Sequence, residues 1–256
     1  MGDQHLAEFW ARIFPDLAVH PDLVVADGRD IAWAFRKDSP RLKEVLNPFL
    51  RSRRHRTEFG NIVFRRYLQS VGWVRNANAT VDRERFERAK PLFEQYGRKY
   101  DLDPLLIAAL GYQESRLDQG VRSPAGAIGV MQLLPATGAR MGVGDIAELE
   151  PNIHAGTRYL RRLMDRVDGP EVDRLNRTFF ALASYNGGQT RIERLRRETG
   201  AKGLDPNVWL DNVEVLVARA IGRETVQFVS NVYKFHLAFR LIEQTRGERE
   251  SRAAGR

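Results

Sequence analysis

The chain has 256 residues, of which 43% are apolar and 29% charged, with a mean hydropathy of −0.44. That is enough apolar material for one large or two small cores, too little charge bias for a disordered polyelectrolyte, and no run near the ~18 apolar residues of a spanning helix. A net charge of +8 favours an anionic partner, and the lack of cysteine excludes disulfides, zinc–thiolate sites and a thiol nucleophile. The basic excess is spread over the chain, mostly among acids at helical spacing, as in Arg83-Glu84-Arg85-Phe86-Glu87-Arg88. That pattern also suits plain solvated helix faces. No basic segment followed by an apolar one opens the chain, so no signal peptide is read there.

Residues 22–36 read as strand, turn and strand. Leu23-Val24-Val25 precedes Asp27-Gly28, a hairpin signal, and Ile31, Trp33 and Phe35 alternate with alanines. A helix follows, with Ser39 as N-cap and Pro40 in its first position. Leu42, Val45, Leu46, Phe49 and Leu50 form its apolar face, and Pro48 falls within the pattern. A short helix is expected over residues 62–68. Asn76-Ala77-Asn78-Ala79-Thr80 reads as a linker.

From Val81 onward only helices are expected. One is capped by Asp82 and runs to Tyr100. Asp103-Pro104 opens another through Ser115. A loop with Pro124, Gly126 and Gly129 follows. Further helices span residues 151–167, 173–184 (stopped by Asn186-Gly187-Gly188) and 224–244. The polar tail 246–256 is expected to fray. The division is therefore 1–75, linker 76–80, helical domain 81–245 and tail.

Leu105 to Leu110 is apolar all round, so the helix 104–115 should be buried. Glu114 in its last turn would feel apolar walls and the negative end of the helix dipole. Both disfavour ionisation and raise its pKa, which is what a general acid needs near neutral pH. The other reading of Glu114 is a helix-end partner for Arg116. The five histidines show no ligand spacing, and no metal site, phosphate loop or nucleophile elbow is read.

Gln113-Glu114-Ser115 and Ser123-Pro124-Ala125-Gly126-Ala127-Ile128-Gly129-Val130-Met131-Gln132 resemble the signature of the soluble lytic transglycosylases. The resemblance continues through Pro151-Asn152-Ile153, Gly156 and Tyr159-Leu160, then Ser184-Tyr185-Asn186-Gly187-Gly188, and ends at Glu224-Thr225 with Phe228-Val229. Ser184, Gly187 and Val130 depart from the usual residues without removing a polar group. The resemblance implies a mainly α, goose-lysozyme-like catalytic domain acting on peptidoglycan, with Glu114 as catalytic acid and then base. It implies substrate contacts from Ser123, Met131, Gln132, Tyr185, Asn186 and Glu224, no metal and no cofactor. It implies glycan strands as partner, no nucleic acid, a monomer, and a periplasmic place with association to the outer membrane or cell-wall machinery. Asp118, four residues after Glu114, is read as structural. The N-terminal part more weakly resembles the end of a periplasmic solute-binding-protein-like α/β domain, as joined to the catalytic domain in the F type of membrane-bound lytic transglycosylases. A lysozyme-type hydrolase and a non-catalytic glycan-binding protein remain the alternatives.

Overall fold

The structure, a computed structural model, describes residues 19–20, 22, 36, 39–53, 80–167, 169 and 171–254. The chain divides into two compact units, residues 1–75 and 76–256. In the first, helix α1 (Pro40–Arg53) forms where the Ser39-Pro40 start signal stands and continues through Pro48. Leu42, Val45 and Phe49 on its apolar face are exposed. The expected hairpin and the helix at 62–68 fall almost wholly outside the described residues, as does the α/β character read for this part.

The described part of the second unit is helical: α2 (Thr80–Tyr100), α3 (Pro104–Ser115), α4 (Pro135–Met141), α5 (Leu149–Asp165), α6 (Arg174–Gly187), α7 (Gln189–Ala201), α8 (Glu214–Ile221) and α9 (Arg223–Ala254). Among the described residues β structure is limited to two isolated bridges, Arg122 with Ile128 and Ile128 with Leu133. No described helix is long and apolar enough to cross a membrane.

Helix α3 is the axis. Asp103 caps it by accepting from Leu105 N at 2.9 Å, and Pro104 takes the first position, where a missing N–H costs nothing. Asp103 also receives a 2.8 Å hydrogen bond from His236 of α9, which holds its carboxyl below the usual range. Leu106 to Tyr112 are all buried, as the unbroken apolar run demands. Helices α2 and α9 pack along α3. Phe86 of α2 stacks on Phe239 of α9 at 4.9 Å, and Tyr112 of α3 meets Phe235 edge-on at 4.6 Å. Helix α5 packs on α2, α6 packs on α9, and the two pack on each other, α6 burying Thr178 to Ser184 and capped by Asp173.

Four details differ from the sequence reading. Asp82 lies inside the first turn of α2 rather than capping it, and its buried carboxylate binds Tyr112 and Arg116 instead. Thr80, read as linker, already belongs to α2. Helix α9 continues to Ala254, through most of the segment read as a fraying tail, and Arg246 pairs there with Glu87. Helices α4, α7 and α8 lie outside the sequence reading: α4 and α7 carry few apolar residues, and α8, though mostly apolar, is only eight residues long.

Residues 76–256 alone are expected to fold, giving a helical circular-dichroism spectrum and one cooperative thermal transition. A non-cooperative melt would show that the division at residue 75 is wrong.

Candidate active site

Helix α3 stops abruptly after Ser115. Arg116 (φ 55°, ψ 38°) and Leu117 (φ 60°) are both left-handed, which bulky side chains rarely adopt. Their amides return to Tyr112 O and Gly111 O, and the Leu117 side chain is buried. The chain then turns into the loop 118–133. Ser115 ties the two together: its hydroxyl lies 3.0 Å from Val130 O and 3.2 Å from Gly111 O, and it accepts from Asp118 N.

The loop is moored by two amide side chains. Asn152 of α5 is fully buried; it accepts from Met131 N at 2.8 Å and donates to Ile128 O and Ile146 O, each at 2.9 Å. Gln119 accepts from Val130 N and donates to Ile146 O and Ala147 O. Gly129 (φ 76°) sits between them. A Cβ there would fall 2.5 Å from the Gln119 amide and 2.6 Å from that of Asn152. At Gly156 a Cβ would strike Met131 at 2.6 Å, so the lack of side chains lets the loop lie on α5.

Glu114 stands at this junction, half-buried, with no hydrogen bond or ion pair among the described residues. Burial pushes its carboxyl up to about 8. Arg116, its sequence neighbour, turns away to Asp82 at 3.2 Å. Tyr185 at the end of α6 donates to Met131 O at 2.8 Å and packs against Tyr159, with ring centres 5.2 Å apart. Burial first, then the Glu114 carboxylate, push the Tyr185 phenol well above its ordinary value, so it is a neutral donor.

The remaining expected site residues divide. Ser123 Oγ accepts from Ala127 N at 3.0 Å within its own turn and makes no hydrogen bond to Glu114 among the described residues. The Met131 side chain is fully buried core, and its backbone is the part held between Asn152 and Tyr185. Gln132 (φ 44°) donates to Gly129 O and Val121 O, which steadies the loop from its exposed side. Asn186 is exposed and accepts from Thr225 Oγ1 at 2.8 Å, joining α6 to the start of α9. Glu224 is exposed in the first turn of α9. Asp118 is engaged elsewhere, by Arg85 at 2.6 Å and by Gly120 N at 2.8 Å. No group of three His, Cys, Asp or Glu able to hold a metal occurs among the described residues. Sequence reasoning assigned no role to Ser115, Gln119 or Asn152. The signal for Asn152 was present: a polar residue on the buried stripe of α5 with Gly156 and Leu160.

Residues 91–207 match the family described as the transglycosylase SLT domain, and this chain carries a domain of that family. The curated relatives are membrane-bound lytic murein transglycosylases F. That of Desulfosudis oleivorans is 30% identical over 253 residues, covering 92% of this chain and 55% of the relative. That of Vibrio cholerae is 34% identical over 225 residues, covering 82% and 40%. The chain thus spans about half the length of the curated relatives it matches. Among solved structures, the 70 kDa soluble lytic transglycosylase from Escherichia coli aligns at 25% identity and a TM-score of 0.47, over 60% of this chain and 24% of that one.

Two outcomes follow from this geometry. Asn152→Ala leaves the Met131 N–H without its partner and takes one of two donors from Ile128 O and from Ile146 O, and is expected to destabilise the protein by about 1–3 kcal/mol in denaturant titration. Glu114 has a folded pKa above its unfolded one, so the stability of its protonated form is present at low pH and lost as pH rises toward 8. Glu114→Gln removes that loss. Its melting temperature relative to the wild type is expected to rise between pH 5 and pH 9, whereas a constant difference would mean that Glu114 is not desolvated.

Proposed function

We propose that the chain is a peptidoglycan lytic transglycosylase in which Glu114 performs both proton transfers. The observation that carries this is a single carboxyl group, pushed up to about 8 by burial, without an ion-pair partner among the described residues and beside a neutral tyrosine. A carboxyl of that kind is protonated at neutral pH and can act as general acid.

Glu114 donates its proton to the glycosidic oxygen between N-acetylmuramic acid and N-acetylglucosamine. The C1–O bond breaks and the leaving sugar departs with a free 4-hydroxyl. The substrate's own N-acetyl group stabilises the electron-poor anomeric carbon. The Glu114 carboxylate then takes the proton of the muramoyl 6-hydroxyl as its oxygen bonds to C1, closing a 1,6-anhydro ring and restoring the acid. The nucleophile is part of the substrate, so no second carboxylate has to activate water. Asp118, the nearest acid in sequence, supports this reading because Arg85 and Gly120 N occupy both its oxygens.

Tyr185, held on Met131 O and within electrostatic reach of Glu114, is proposed to line the site beside it. Gln132, Ser123, Asn186 and Glu224 are proposed to contact the glycan from the loop and the α6–α9 junction. The net positive charge suits strands that carry peptide carboxylates. A periplasmic location follows from the same reading, and residues 1–75 are proposed to be a partial solute-binding-like segment not needed for bond cleavage.

Mass analysis of fragments released from purified peptidoglycan tests the reaction. Each fragment is expected to end in anhydromuramic acid, one water lighter than its hydrolysed counterpart, with Asp118→Asn leaving the product unchanged and Glu114→Gln releasing none. Reducing muramic acid ends that disappear in Asp118→Asn would identify a lysozyme-type hydrolase instead.

A further inference from the structure

The left-handed corner Arg116–Leu117 lies two residues beyond Glu114, and it is held from a helix that contributes nothing else to the site. Asp82 of α2 is buried, accepts the Tyr112 hydroxyl at 2.7 Å and pairs with Arg116 at 3.2 Å. Arg85, one turn on, reaches Asp118 Oδ2 at 2.6 Å and approaches Arg116 O at 3.5 Å. Asp118 in turn accepts from Gly120 N and donates its amide to Ser115 Oγ. The backbone from Ser115 to Gly120 is therefore gripped on its outer side by one acid and one base of α2.

Two consecutive bulky residues in the left-handed region do not persist unless their surroundings hold them there. Leu117 is held by its buried side chain. Arg116 is exposed, and its charge is drawn to Asp82, with the guanidinium lying 5.9 Å over the Tyr112 ring. If this hold is released, the helix end can fray into an ordinary right-handed turn, and Glu114 moves with it toward water.

We propose that Asp82 and Arg85 are positioning residues for the reaction, which from α2 lock the Arg116–Leu117 corner and so keep Glu114 in its dry seat against the loop 118–133. The proposal rests on the reading of Glu114 as the acid. Neither residue touches the substrate; both act through the backbone that follows Glu114.

The titratable and charged groups that α3 meets from its neighbours, among the described residues, are Asp82 and Arg85 from α2, Asp118 from the loop, Tyr185 from α6, and His236 and Arg240 (at the far, N-terminal end, on Asp103) from α9. Of these only Tyr185 interacts electrostatically with Glu114, so the elevation of Glu114 comes from burial rather than from a charge on α2. Losing the Asp82 charge has no direct effect on that elevation. Loosening the corner does, because water entry lowers a carboxyl pKa that burial had raised.

The test compares Asp82→Ala, Arg85→Gln and a control, Lys90→Ala. The control breaks the Lys90–Glu243 pair between α2 and α9, away from the corner. Two readouts are taken: the pH profile of fragment release, and the titration midpoint of the Glu114 carboxyl followed by its ¹³C NMR shift. In Asp82→Ala, the rate on folded protein should fall roughly tenfold to a hundredfold, as for a misplaced catalytic group. Its alkaline limb and the Glu114 midpoint should move down together by about one pH unit or more. Arg85→Gln should do the same more weakly, and Lys90→Ala should leave the midpoint unmoved while lowering the melting temperature. A rate loss that tracks only the folded fraction, with the midpoint unchanged, overturns the proposal. If Asp82→Ala does not fold, Arg85→Gln decides on the same two readouts. A wild-type protein that releases no fragments would bring down the proposed reaction instead, and the comparison of midpoints would still decide the positioning role.

Discussion

The constraint on which the site depends is the desolvation of one carboxyl group. Water stabilises a carboxylate far better than a protein interior does, so a partly buried glutamic acid without a cation beside it keeps its proton into the neutral range. Much of the second unit can be understood as building that environment. Helix α3 is apolar on every side and brings Glu114 to the end of a buried axis. The loop 118–133 covers it, and α6 contributes Tyr185, whose hydroxyl is committed to Met131 O.

A loop can exclude water only if its own polar groups are satisfied. Here the burden falls on side-chain amides, which carry donors and an acceptor on a short stem. Asn152 and Gln119 each make three hydrogen bonds, and they share Ile146 O. Neither is charged, so the loop is fixed without placing an ion near the acid. The charged groups Asp82, Arg85, Arg116 and Asp118 are gathered on the α2 side, where they neutralise one another.

Much of this was legible in the sequence because periodicity and capping are local. The run from Leu105 to Leu110 announced a buried helix, Asp103-Pro104 its start, and Glu114 a desolvated carboxyl at its end. Less legible was what depends on distant partners. Met131 stands beside a glutamine in a loop and was expected to line a cleft. Its side chain is core because Gly156, some 25 positions later, leaves room for it. Asp82 has the position of a helix cap and was read as one, since the donors that claim it, Tyr112 and Arg116, lie on another helix. Ser123, expected to contact the substrate, closes its own turn by accepting from Ala127 N.

The proposed chemistry requires a protonated Glu114 at neutral pH, a property that can be read without substrate. Titration of its carboxyl ¹³C resonance in the full chain should give a midpoint of about 8. A midpoint near the ordinary value of 4.5 would mean that water reaches the group freely, and that it cannot serve as the acid at neutral pH.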